Sequence, residues 1–137
     1  MSTPTRLDVV RTRHTEVVPV AAVRTFVREV NAWLSEVVEG CTSGAVHEMA
    51  VVLNELLTNA ATHAPGPYTV TVTQGSRVVL LEVRDEEPPR GTPWPVRKGL
   101  LVVRGLCPEW GVTDHGAAKT VWAELPILTM PVPPDTR

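Results

Sequence analysis

The chain has 137 residues, a length typical of a single domain. Its 13 basic and 15 acidic residues give a net charge of −2, so the overall charge does not favour a nucleic acid or an acidic membrane as a partner. No apolar run is long enough to cross a bilayer, and the N-terminal segment lacks the hydrophobic core of a signal peptide, so we expect a cytoplasmic protein. The cysteines, Cys41 and Cys107, fit no metal-binding spacing and are predicted to be buried thiols.

Charge is unevenly distributed along the chain. No Lys or Arg occurs between Arg28 and Arg77, whereas five glutamates lie there: Glu29, Glu36, Glu39, Glu48 and Glu55. Residues 88–104 show the reverse bias, with four cations and no acid: Arg90, Arg97, Lys98 and Arg104. This segregation suggests an acidic, metal-binding side and a basic, phosphate-binding side, although counts this small also arise by chance.

A strand and a helix are predicted at the start of the chain. Residues 6–13 are β-branched and partly alternating, which predicts a first strand. Pro19 suits the first turn of a helix that runs to about Glu36, because that turn does not need its missing N–H group. The apolar residues of this helix recur every three or four positions, at Val20, Val23, Phe26, Val27, Val30 and Leu34.

A second helix is predicted over residues 44–64. Thr42 or Ser43 is its expected N-cap, and the Pro-Gly-Pro sequence at 65–67 ends it. One broad apolar face, with Leu56 at its edge, contains Val46, Met49, Ala50, Leu53, Leu57, Ala60 and Ala64.

The second half of the chain is predicted to supply most of the sheet. Residues 68–73 and 77–84 alternate in polarity across Gly75 and Ser76, which predicts a β-hairpin. Residues 85–97 contain four prolines and are predicted to form a loop, followed by a short apolar helix at 99–106. Segments 110–113 and 120–125 form a final hairpin around His115 and Gly116. The order β-α-α-β-β-loop-α-β-β predicts an α/β sandwich, with helices on one face of a mixed, mostly antiparallel sheet.

The second helix carries a polar stripe opposite its apolar face, made of Glu48, Glu55, Asn59 and Thr62. Glu55 and Asn59 are four residues apart, so their side chains reach the same point above the helix. A carboxylate and an amide oxygen there can hold a hard cation such as Mg²⁺, with waters and substrate phosphates as its other ligands. A solvated helix face is the alternative. The lack of Lys or Arg in the stripe and the mid-helix Asn both argue against it.

Three more residues each have a functional and a structural interpretation. His63 either contacts a phosphate or closes the helix as a C-terminal cation. Asp85 ends a strand, where it either accepts a hydrogen bond from an exocyclic amine such as that of adenine or caps the loop. Gly99 follows Arg97 and Lys98 at the start of the short apolar helix, where it either admits a phosphate to the helix N-terminus or simply allows helix entry.

Several segments, in the same order along the chain, resemble the sequence motifs of the GHKL superfamily, which includes gyrase, MutL and histidine kinases. Residues 55–64, E-L-L-T-N-A-A-T-H-A, resemble its N box, E-L-x-x-N-A-x-x-H-A, and residues 83–85 resemble the strand-end aspartate of its next box. Residues 98–106 and the W-G-V at 110–112 resemble G-x-G-L-x-L-V-x-x-L followed by W-G-V. Residues 119–125 resemble the closing strand of small bacterial members, the anti-sigma-factor serine kinases of the RsbW type.

The resemblance implies a Bergerat (GHKL) ATP-binding domain at 15–126, with an N-terminal strand or extension at 1–14 and a proline-rich tail at 127–137. It implies that Glu55 is the catalytic base or water-orienting acid and that Asn59 is the Mg²⁺ ligand. Asp85 would bind adenine, Thr120 would lie beside it, and Gly99 would lie near the phosphates. The complete set implied for ATP binding is Asn59, His63, Asp85, Lys98, Gly99, Leu100 and Thr120.

The sequence departs from the superfamily pattern around the nucleotide lid. Glu87 stands where the motif D-x-G-x-G has a glycine, and Arg97 replaces the first glycine of G-x-G. The lid segment is short, rich in proline and contains Trp94. These departures concern nucleotide binding and kinase turnover rather than the fold.

The resemblance implies an ATP- and Mg²⁺-dependent regulator that phosphorylates a serine of a partner protein. The implied partners are an anti-sigma-factor antagonist with a STAS fold, a sigma factor, or both, and a homodimer is also plausible. The alternative is a catalytically degenerate GHKL module that regulates its partners by binding alone. A metal-dependent hydrolase unrelated to GHKL is a third interpretation, and the ordered motifs argue against it.

Overall fold

The computed structural model describes residues 10–86 and 103–127. Strand β1 spans Thr12–Val18 and is followed by a 3₁₀ turn at Val20–Ala22. Helices α1 and α2 span Val23–Val37 and Ser43–His63. Strands β2 and β3 span Tyr68–Gln74 and Val78–Asp85, and a helical turn at 103–106 leads to β4 at Glu109–Asp114 and β5 at Lys119–Pro126. No helix among these residues is long and apolar enough to span a membrane.

The five strands form one sheet in the order β1-β2-β3-β5-β4, and both helices pack on one of its faces. This confirms the predicted α/β architecture. All four strand pairings in the described part of the chain are antiparallel, so the parallel pairing expected in a mixed sheet is not found there. Short turns explain two of the pairings, because each of the hairpins β2–β3 and β4–β5 joins neighbouring strands directly.

The first strand lies later in the chain than predicted. The sequence suggested residues 6–13, of which 6–9 lie outside the described part, whereas β1 runs from Thr12 to Val18 and pairs with β2 from Gln74 to Tyr68. Five of its seven residues are exposed, because β1 is an edge strand with one free side. Edge strands tolerate charged and polar residues, so the polar segment around His14 gave little strand signal.

Helix α2 forms the centre of the core and matches its prediction closely. The Thr42 hydroxyl caps it by accepting a hydrogen bond from the Ala45 amide at 3.1 Å. Every residue of the predicted apolar face is buried, and Leu56 and Val52, at 0% exposure, are buried too. The helix is therefore enclosed over more of its circumference than one face.

The predicted apolar stripe of α1 is only partly confirmed by the burial of its residues. Val30 and Leu34 are buried as expected, and Val37 extends the buried side. Val20, however, is 62% exposed, because it lies in the 3₁₀ turn before α1, whose different angular spacing takes it off the helical stripe.

The buried side chain of Gln74 fastens the turn between the helices to the end of β2. Its amide nitrogen donates to the Glu39 carbonyl oxygen at 2.7 Å, and its amide oxygen accepts from the Glu39 N–H group at 2.8 Å. Gln74 is fully buried, so these bonds satisfy a polar group that would otherwise be costly to bury.

Both cysteines are free thiols. Cys107 is buried as predicted, and burial raises its pKa to about 12. Cys41 is only half-buried.

Candidate functional site

Glu55 and Asn59 lie one turn apart on α2, as the sequence predicted. Glu55 is half-exposed, while Asn59 is only 8% exposed. The polar stripe is therefore not uniform, because Glu48 and Thr62 are exposed at its two ends and Asn59 is enclosed near its middle. The predicted metal-binding residues are therefore a buried amide, Asn59, and a half-exposed carboxylate, Glu55, one turn before it.

The side-chain amide of Asn59 has one atom without a hydrogen-bond partner among the described residues. Its Nδ2 atom is buried without one, and so is the Oδ1 atom of Asn54, five residues earlier on the same helix. Because an unpaired buried amide is costly, such a group marks a place where a further polar ligand would be stabilised. Because Nδ2 is a donor, this observation fits a ligand that brings an acceptor oxygen to Asn59.

The described residues provide no complete metal cage. No group of three or more His, Cys, Asp or Glu side chains that could hold a metal occurs within 10–86 and 103–127. Mg²⁺ commonly takes one or two protein ligands and completes its shell with waters and substrate phosphates.

The C-terminal end of α2 is tied to the sheet by Tyr68. The Tyr68 hydroxyl donates to the Ala64 carbonyl oxygen at 2.6 Å, and its side chain is almost completely buried. Asn59 lies five residues before Ala64, which is about 7.5 Å along the helix axis. His63, the last residue of the helix, is half-buried at this end, where a cation interacts favourably with the helix dipole.

Asp85 lies at the end of β3 as predicted, on the face of the sheet that packs against the helices. Its side chain is fully buried, and Oδ2 lies 2.9 Å from Nζ of Lys119. The two residues are directly opposed across β3 and β5. Burial, together with the negative charge of Asp85, raises the pKa of Tyr68, so these side chains share one electrostatic environment.

Lys119 was missed by sequence reasoning, although a signal for it exists. Side chains alternate between the two faces of a strand, so Lys119 has the same facing as Val121, Ala123 and Leu125. All three are buried in the core. A lysine among the otherwise apolar inward-facing residues of a strand predicts a buried cation, and its partner is the carboxylate that the neighbouring strand presents at the same level.

Thr120 points to the other face of the sheet. It is opposed to Arg84 rather than to Asp85, and its hydroxyl lies 2.8 Å from Nε2 of His115. The resemblance implied that Thr120 lies beside the adenine that Asp85 would bind. The structure does not bring the two side chains to the same face, because the strand register assigns that place to Lys119.

Three predicted phosphate-side residues, Lys98, Gly99 and Leu100, lie outside the described residues, as do Glu87 and Arg97 of the lid. The described part of the site therefore consists of the helix pair Glu55 and Asn59 and the sheet pair Asp85 and Lys119. A hydrogen bond from Tyr68 joins the helix that carries the first pair to the strand next to the second.

Comparisons with known proteins identify the domain family. The family model of the histidine kinase-like ATPase domain matches residues 18–123. No curated protein sequence matches the chain. Among solved structures, the chain is similar to the RsbU and RsbW domains of Rv1364c from Mycobacterium tuberculosis, with a TM-score of 0.62 and 16% identity over 88% of this chain and 34% of that one. It is also similar to the histidine kinase AdeS of Acinetobacter baumannii, with a TM-score of 0.51 and 17% identity over 90% of this chain and 69% of that one.

The structural matches establish a shared fold and leave activity open, because their sequence identities are low. The chain spans about a third of the Mycobacterium tuberculosis chain that it matches. The family model, by contrast, covers most of the sequence and includes the segments that carry Glu55, Asn59 and Asp85. The chain therefore belongs to the histidine kinase-like ATPase domain family.

Proposed function

We propose that this protein is an ATP-binding regulator that uses Mg-ATP to phosphorylate a serine of a partner protein. The observation that carries the proposal is the buried side chain of Asn59 one turn after Glu55, whose Nδ2 atom has no hydrogen-bond partner among the described residues, on the helix whose end is joined to the Asp85 region. Family membership supports ATP binding in general. The serine kinase activity is the further step that this pair of side chains motivates.

Each described side chain has a role suited to its chemistry. Asn59 offers an amide oxygen to Mg²⁺, and Asp85 offers a carboxylate to the exocyclic amine of adenine. Bound Mg-ATP would supply an activated phosphoryl group. Glu55, half-exposed at the protein surface, can hold the proton of an incoming serine hydroxyl, which is the task of the carboxylate in protein kinases.

The basic side of the site rests on sequence alone. Lys98 would neutralise charge on the transferred phosphoryl group, with Gly99 and Leu100 near the phosphates and His63 as a further phosphate contact. By resemblance to the RsbW type, the serine would belong to a STAS-fold anti-sigma-factor antagonist, and a sigma factor would be a second partner.

Calorimetric titration with ATP, in the presence and absence of Mg²⁺, tests the binding step. Transfer of radiolabelled γ-phosphate to a STAS-fold antagonist encoded in the same genome tests the chemistry. We expect Glu55→Ala to bind Mg-ATP but to transfer at least about 100-fold more slowly, the usual contribution of a positioned base. Glu48→Ala, which removes an exposed carboxylate two turns earlier on the same helix, is the matched control and should transfer normally. Normal transfer by Glu55→Ala would remove Glu55 from the mechanism.

One observation favours the alternative, a module that regulates partners without phosphotransfer. Lys119 already pairs with the carboxylate of Asp85, so an adenine amine would have to share that carboxylate. The lid residues Glu87 and Arg97 also favour this alternative, because they replace superfamily glycines. The alternative predicts no phosphate transfer and a partner affinity that is indifferent to ATP. A several-fold change in partner affinity on adding Mg-ATP would contradict it.

A further inference from the structure

The ion pair of Asp85 and Lys119 is unusually well buried. The two side chains are 0% and 6% exposed, and their charged atoms are 2.9 Å apart. Lysine is rarely buried to this degree, and a buried pair must overcome the loss of hydration of both ions. The chain has only two lysines and carries its other cations on arginine, so one of its two lysines is committed to this position.

The position of the pair indicates a role beyond packing. Asp85 is the last residue of β3 and Lys119 the first of β5, so the pair lies at the end of both strands rather than in the middle of the core. The same end of the sheet receives the C-terminal end of α2 through the hydrogen bond from Tyr68 to Ala64. A ligand base that reaches Asp85 must therefore meet the ammonium group of Lys119 as well.

We propose that Lys119 is a base-reading residue that donates a hydrogen bond directly to a ring nitrogen of adenine. The inference rests on the proposed ATP site. A carboxylate beside an ammonium group presents an acceptor next to a donor, and it matches a base edge that offers a donor next to an acceptor. Adenine has such an edge, because its exocyclic amine donates and the ring nitrogens that flank it, N1 and N7, accept.

The proposal is compatible with the observed pair. A carboxylate has about four lone-pair sites, so the bond with Lys119 does not exhaust its accepting capacity. An ammonium group carries three donors and can keep its bond to Asp85 while it donates to a base. The base would add polar contacts to charged groups that the fold holds away from water, and such contacts offset part of the cost of burying charge.

Binding of nucleotide analogues to the wild-type chain tests the proposal without any substitution. Calorimetric titrations would compare ATP with 1-deaza-ATP and 7-deaza-ATP, each of which lacks one ring nitrogen beside the amine. The control is 3-deaza-ATP, which lacks a ring nitrogen remote from the amine. We expect one of the first two analogues to bind about 10- to 100-fold more weakly than ATP, the range for a hydrogen bond that involves a charged group. The control analogue should bind as ATP does.

Variants then assign the effect to Lys119. Lys119→Met should bind ATP and the discriminated analogue equally, because methionine cannot donate, whereas Lys119→Arg should keep some discrimination. Arg77→Gln, which removes a cation in the turn at the opposite end of β3, should discriminate as the wild type does. The wild-type titrations keep the proposal testable even if Lys119→Met fails to fold with Asp85 unpaired.

The outcomes separate this inference from the proposed function. Equal binding of ATP and all three analogues by the wild type would overturn the role of Lys119 and leave the ATP site standing. Discrimination that persists in Lys119→Met would do the same. Failure of the wild type to bind any of these nucleotides would overturn the ATP site and this inference together.

Discussion

Replacing Tyr68 with Phe removes one hydroxyl group that joins helix α2 to the sheet. That hydroxyl donates to the Ala64 carbonyl oxygen at 2.6 Å, and both residues are buried. Loss of the bond costs about 0.5–1.5 kcal/mol, and a carbonyl left buried without a donor costs about 1–3 kcal/mol, so we expect the free energy of unfolding to fall by about 2 kcal/mol. Because the ring is retained, no large cavity adds to this value.

Denaturant unfolding followed by tryptophan fluorescence measures this change. Thr62→Val is the matched control, because the Thr62 hydroxyl also donates to a carbonyl four residues earlier, that of Thr58 at 2.8 Å, but on the exposed side of the helix. Its loss should change the free energy of unfolding by no more than about 0.5 kcal/mol. Equal effects of the two substitutions would show that burial does not increase the contribution of the Tyr68 hydroxyl to the free energy of unfolding.

The pH dependence of stability supplies a second test of the buried Tyr68 hydroxyl. Burial, and then the charge of Asp85, raises the pKa of Tyr68 above its ordinary value of 10.0, so the fold holds the neutral phenol. Its contribution to stability is complete below pH 10.0 and is lost as pH rises through the raised pKa of the folded state. Tyr68→Phe lacks this loss. Tyr68 is the only tyrosine in the chain, so tyrosinate absorbance reports it alone. A folded-state midpoint at or below that of the unfolded chain would refute the reasoning.

Three other predictions concern the scaffold. Thr42→Ala removes the cap of α2 and should lower the free energy of unfolding by about 1 kcal/mol in denaturant titrations, whereas Thr42→Ser should preserve it. Gln74→Leu leaves the N–H and C=O groups of Glu39 without the side chain that pairs with them, so the free energy of unfolding should fall by about 2–4 kcal/mol. Hydrogen exchange at the Glu39 amide should become faster, and unchanged exchange would contradict the role of these two hydrogen bonds. Burial raises the pKa of Glu82, outweighing the charges of Arg13 and His115, so its ionisation above pH 4.5 destabilises the fold. Glu82→Gln should therefore raise the unfolding midpoint at pH 7 but not at pH 3.

Much of the fold could be predicted because its signals are local. Helix α2 was expected at 44–64 and spans Ser43–His63, since a capping Thr, a long apolar face and a Pro-Gly-Pro sequence all lie within it or beside it. The hairpin β2–β3 was equally predictable, because alternating residues flank a short turn that the backbone closes between Gly75 and Val78. Local signals of this kind require no knowledge of distant residues.

The helix part of the candidate site was also accessible to sequence reasoning. Glu55 and Asn59 share a face of α2 because helical spacing alone brings residues four apart together. Burial of Asn59 was not predictable in the same way. It depends on how much of the circumference of α2 is covered by the rest of the fold. That cover extends to Asn59, on the side of the helix that carries the polar stripe.

By itself, the sequence determined the order of the elements, the long central helix and the carboxylate–amide pair on it. Only the tertiary structure decided where the edge strand β1 lies and which residue faces Asp85. Each strand has two faces, and a shift of one residue in pairing exchanges them. The register of β3 with β5 therefore brings Lys119 to Asp85 and turns Thr120 away, and this register depends on the whole sheet and the core beneath it rather than on the residues next to either position.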